Sequence, residues 1–136
     1  MSVELVTPEG MFRPVPYHHV AVATGSRLVS VAGQIDRDGD RGATSVGDLA
    51  GQVVQAFRNA ARGLAGVGAS FADAHRIRMY VTSWEPAKAE ALLAGLARAQ
   101  KELNLPEPLP PLSLLGVEAL FEPDVLFEVE VDAVLE

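Results

Sequence analysis

Few residues of this chain stand at spacings that chemistry could use. His18 and His19 are adjacent. On a strand, neighbours face opposite ways, so the two rings cannot chelate one ion within a chain, and no metal site is expected. Asp36-Arg37-Asp38-Gly39-Asp40 resembles the start of a calcium loop, but Arg41 and Gly47 stand where such a loop requires Gly and Glu. A solvated acidic loop is the better reading. Ser70, Asp73 and His75 are the residue types of a hydrolase triad. Crowded into six residues they cannot form the relay, and a capping role for Ser70 is expected. Gly63, Gly66 and Gly68 follow a helical pattern, whereas a dinucleotide fingerprint follows a strand, so helix termination accounts for Gly66 and Gly68. Glu128 and Glu130 share a strand face with Leu126 and Asp132, a pattern that by itself reads as an acidic surface.

Composition narrows the field. The 136 residues are 49% hydrophobic and 21% charged, which fits one domain over residues 1–136 with a core of its own. No apolar run approaches a membrane span, and the first ten residues carry Glu4 and Glu9 without a basic residue, unlike a secretory signal. Cysteine is absent, which excludes disulfides and thiolate chemistry and makes a cytoplasmic location the expectation. The net charge of −7 repels phosphate backbones, so neither nucleic acid nor membrane is an expected partner. Arg76 and Arg78 alternate on one strand face and read as solvated.

The elements that must position these residues follow from periodicity. Val3–Val6 reads as a strand. His19–Ala23 and Arg27–Ile35 flank Thr24-Gly25-Ser26 and suggest a β-hairpin. Ser45 and Asp48 stand at capping-box spacing, with Asp in place of the preferred Glu, and open a helix whose stripe is Leu49, Val53, Phe57, Ala60 and Leu64. His75–Val81 alternates as a strand, with Ile77, Met79 and Val81 facing one way and Arg76, Arg78 and Tyr80 the other. A second helix carries Ala89, Leu92, Leu93, Leu96 and Ala97, and strands are expected within Leu112–Leu120 and Val125–Leu135. The order β, β-hairpin, α, β, α, β, β makes an α+β domain. In the last strands apolar residues alternate onto both faces, as Leu112 and Leu114 do against Leu115 and Val117. Two helices cover one face only, so self-association over the other is expected.

One ordered set of segments resembles the RidA family, also called YjgF or L-PSP. It begins with Pro16-Tyr17, Val31-Ala32-Gly33-Gln34-Ile35, and Gly47-Asp48 leading to Gln52 and Asn59. It continues with Gly66 to Ala74 before Arg78-Met79-Tyr80-Val81-Thr82, and ends on Phe127-Glu128-Val129-Glu130-Val131. The resemblance implies a six-stranded mixed sheet with two helices on one face, similar to one type of chorismate mutase. It also implies a homotrimer with a small-molecule ligand in each interfacial cleft. Active members hydrolyse enamines and imines such as 2-aminoacrylate without a cofactor; some relatives carry a ribonuclease name, against which the charge balance speaks.

The resemblance places cleft residues at Tyr17, Gly33 and Glu128, the last able to position a water. The family's Pro-Ala-Arg-Ser-Cys segment falls on Pro110-Pro111-Leu112-Ser113-Leu114, and a family asparagine on Ala91. Leu112 thus stands for the arginine that grips a substrate carboxylate, and Leu114 for the cysteine. Losing that charge-assisted pair of hydrogen bonds removes roughly 3 kcal/mol, about a hundredfold in affinity. The expectation is a metabolite-binding protein without the standard 2-imino-acid deaminase activity, its ligand lying among Tyr17, Gly33, Leu112, Leu114 and Glu128. The alternative is a deaminase of altered specificity, anchored by Arg13, His18 or His19 and using Glu128 catalytically.

Overall fold

The computed structural model describes residues 2–136. Its strands are β1 (Val3–Val6), β2 (Val20–Ala23), β3 (Arg27–Gln34), β4 (Ala74–Thr82), β5 (Leu112–Val117) and β6 (Phe127–Leu135). Two helices, α1 (Leu49–Ala65) and α2 (Ala89–Leu103), complete the α+β arrangement that the periodicity implies. The β2–β3 hairpin does not form. β2 pairs antiparallel with β1, and β3 pairs instead with β6. The six strands therefore make a two-stranded ribbon and a four-stranded mixed sheet of order β3-β6-β4-β5, with β4 and β5 parallel. A Cβ at Gly25 would lie 2.5 Å from the Leu135 carbonyl oxygen, so the chain between β2 and β3 passes hard against the end of β6.

Helix α1 starts because Asp48 Oδ1 accepts the Gly51 N–H at 3.0 Å, a cap of about 1 kcal/mol. Val53, Phe57, Ala60 and Leu64 then line its buried face. α2 buries Leu92, Leu96 and Ala99 and ends at Asn104 in the left-handed region, φ 56°. The helices touch through Gly95, where a Cβ would come within 2.8 Å of Val53 Cβ and 2.9 Å of the Ala50 carbonyl oxygen. Only a residue without a side chain permits that approach.

Both helices cover one sheet face. Ile77, Met79 and Val81 of β4 and Phe127, Val129, Val131 and Ala133 of β6 are buried beneath them. Phe57 stacks on Phe127 with ring centroids 6.2 Å apart, and each such ring contributes roughly 2–3 kcal/mol by burial. The Ser70 expectation holds. Its hydroxyl accepts the Ala72 N–H while Asp73 accepts the Ser70 N–H, a capping box that leaves His75 apart.

The other face corrects the two-sided apolar reading. Register places Arg78 between Glu130 and Ser113, and Tyr80 between Glu128 and Leu115. Arg78 pairs with Asp132 at 3.1 Å, Arg76 donates to Ser113 Oγ at 2.8 Å, and the Tyr80 hydroxyl donates to Glu130. Leu115 and the strongly exposed Leu28 lie at the margins of this charged band. On this face β6 carries Glu128, Glu130 and Asp132 and β4 carries Arg76, Arg78 and Tyr80, so the middle of the face is polar.

Two loops are held from within. Asp36 is fully buried, not solvated, and its carboxylate accepts the Thr44 and Ser45 N–H groups and the Thr44 hydroxyl, the last at 2.6 Å. Gln52, also fully buried, donates to the Ser45 and Asp124 carbonyls and accepts the Leu126 N–H. That side chain ties the start of α1 to the turn before β6.

Candidate functional site

Gly33 and Glu128 meet between β3 and β6. A Cβ at position 33 would collide with Glu128 Oε2 and lie 2.5 Å from Cδ, so the carboxyl group lies over the bare glycine backbone. Among the described residues it has no hydrogen-bond or ion-pair partner. Burial raises the Glu128 pKa from its ordinary value, and the neighbouring Glu130 adds to this. Glu130 is engaged differently. It accepts the Tyr80 hydroxyl, and that bond, with burial, raises the tyrosine pKa. Two carboxylates on one strand face thus occupy unlike environments, one hydrogen-bonded and one free.

Tyr17 lies elsewhere. It forms a parallel bridge with Leu109: His18 N donates to the Leu109 carbonyl at 2.7 Å, and Leu109 N to the Pro16 carbonyl at 2.9 Å. The Tyr17 ring packs against the core and meets the His19 ring edge-on at 5.2 Å. Both histidines precede β2, which starts at Val20 rather than His19. His18 Nδ1 is 3.1 Å from the Thr7 hydroxyl, and His19 Nε2 donates to the Phe12 carbonyl at 2.8 Å. Among the described residues no three His, Asp or Glu side chains are placed to share a metal ion.

Leu112 pairs with Ile77 and Leu114 with Met79, so both take the helix side of the sheet, while Glu128 pairs with Tyr80 on the other. Leu112 is partly buried against the core and Leu114 is exposed at the edge. Strand β5 is also two strands from β6, roughly 10 Å across. Within one chain the structure brings together Gly33 and Glu128, and it leaves Tyr17, Leu112 and Leu114 apart from them. Ala91 lines a separate hollow of about 400 Å³ with Asp48 and Lys88. Sequence reading missed Ser113 and Leu115, which share the Glu128 face; only strand register identifies them. It missed Thr7 too, whose partners lie eleven and twelve residues away.

Residues 12–135 match the family model described as Endoribonuclease L-PSP. The chain belongs to this family. Comparison with curated proteins gives no significant match. Among solved L-PSP folds, the Rid-family protein YyfB of Yersinia pestis is 28% identical, with a TM-score of 0.87 over 99% of this chain and 100% of that one. A Mycobacterium tuberculosis member of the YjgF family is 29% identical, with a TM-score of 0.60 over 98% of this chain and 100% of that one. The Escherichia coli YjgF gene product, at 20% identity and a TM-score of 0.69 over 97% and 94% of the two chains, shares the fold. These matches bear out the RidA/YjgF/L-PSP resemblance and its α+β fold.

Proposed function

We propose that this L-PSP-family protein is a homotrimer binding a small metabolite in clefts between subunits, without the standard 2-imino-acid deaminase activity. One observation carries this reading: the partly buried, unpartnered Glu128 carboxyl over Gly33 has no cation beside it, and the resemblance puts Leu112 where the family has its arginine. A substrate carboxylate entering there would meet a carboxylate and a leucine. Tyr17, Leu112 and Leu114 reach the Gly33–Glu128 pair only from a neighbouring copy, and the exposed Leu28 and Leu115 give such a copy apolar margins to cover. No cofactor is required for binding of this kind, and a cytoplasmic setting suits a chain without cysteine.

The raised Glu128 pKa favours a second reading, an imine or enamine deaminase of altered specificity. A carboxyl tuned upward passes a proton to or from water more readily near neutral pH. A nuclease reading lacks such support, because Arg76 and Arg78 lie among Glu130, Asp132 and Glu128 and present no basic groove to a polyanion.

Light scattering at micromolar concentration is expected to give three chains, and a stable monomer would remove the cleft. Assays against 2-aminoacrylate and a panel of imines with neutral side chains then separate the readings. No turnover supports binding alone, and hydrolysis confined to neutral imines supports the shifted enzyme.

A further inference from the structure

Arg13, Tyr17 and His18 line one hollow of about 360 Å³, whose remaining walls are Thr7, Pro14, Val15 and Pro108. We propose that this hollow is a second site, taking a small monocarboxylate with a short apolar tail. Arg37, Arg41, Arg58, Arg62 and Arg78 all face carboxylates, whereas Arg13, like Arg27, Arg76 and Arg98, forms no ion pair among the described residues, and Arg13 stands in the wall of this hollow. One of its N–H groups donates to the Thr7 carbonyl at 3.3 Å, and the rest of the fork has no protein acceptor among the described residues. Thr7 organises the opposite side as well. Its hydroxyl accepts the His19 N–H at 3.1 Å and lies 3.1 Å from His18 Nδ1, so it ties both histidines to this side of the hollow. A permanent cation beside rigid proline walls, with Tyr17 and His18 in the lining, gives a planar anion a forked partner and room for a few carbons.

The proposal shares only Tyr17 with the cleft reading and needs neither Glu128 nor Leu112. Calorimetry with 2-oxobutyrate tests it, with butan-2-one as the uncharged control. Saturable binding of the acid and none of the ketone is expected. Arg13→Ala should weaken it at least about tenfold and Arg13→Lys less, since lysine keeps the charge but not the fork. Arg98→Ala, which removes a positive charge from exposed α2, should leave it unchanged. Thr7→Val tests positioning without altering charge: weaker binding rescued by Thr7→Ser is the expected pattern. Amide shifts of the labelled protein locate the anion. Perturbation of Thr7, Arg13 and His18 supports the site. Shifts confined to Gly33 and Glu128 would place the acid in the cleft and overturn the proposal, as would unchanged affinity in Arg13→Ala or no binding to the wild type.

Discussion

The Glu128 carboxyl group occupies the space in which a side chain at position 33 would begin. Each residue is therefore defined by the other: the glycine makes room for the acid, and the acid is desolvated by closing over the glycine. The colliding atoms belong to the far end of a flexible side chain, so Gly33→Ala should swing the carboxyl outward rather than unfold the sheet. The expected outcome is a Glu128 pKa returning toward its ordinary value at a stability change of about 1 kcal/mol or less. Carbon-detected titration of the glutamate carboxyls measures it, and an unmoved Glu128 would refute the contact.

Glu128 also sets a pH dependence. Its folded pKa is raised above the ordinary 4.5, so between those two values the native state binds more protons than the unfolded one. Stability from this group consequently falls as pH rises through that window and stays lower above it. Glu128→Gln removes the penalty. The variant should be the more stable at neutral pH, with the difference fading below the unfolded value. Urea melts across the acid range read the sign directly.

Gln52 makes three hydrogen bonds from a fully buried side chain, to Ser45, Asp124 and Leu126. Gln52→Ala strands those backbone groups and opens a small cavity, for an expected loss of about 2–4 kcal/mol. Denaturation at equilibrium should show it, together with faster amide exchange at Leu126. A loss within the usual surface range would mean that water replaces the amide at little cost.

Leu112→Arg tests whether position 112 faces the proposed cleft. It is best made in the Arg13→Ala background, so that the second hollow contributes nothing. An arginine reaching a carboxylate there should tighten 2-oxobutyrate binding by up to about a hundredfold. The gain will fall short if the guanidinium must first leave the core side, where Leu112 now packs. No gain in a variant that keeps the wild-type assembly would detach position 112 from the cleft.

The sequence by itself determined the local elements and, through its ordered motifs, the family. Period-two alternation placed Ile77, Met79 and Val81 opposite Arg76, Arg78 and Tyr80, and the apolar stripe placed α1, though its cap is Asp48 and not Ser45; both are set by neighbours a few residues away. Partner choice was not local. The short segment Thr24-Gly25-Ser26 reads as a hairpin turn, yet β2 pairs with β1 and β3 with β6, partners that lie outside the local segment. Asp36 read as solvated since its partners, Thr44 and Ser45, are backbone donors that no composition reveals. Within one chain, register puts Leu112 and Leu114 across the sheet from Glu128, since one residue of offset exchanges faces. The resemblance put Gly33 and Glu128 in one cleft, but their direct contact across 95 positions of chain, a carboxyl closed over bare backbone, is decided by tertiary folding, which alone fixes which strands lie side by side.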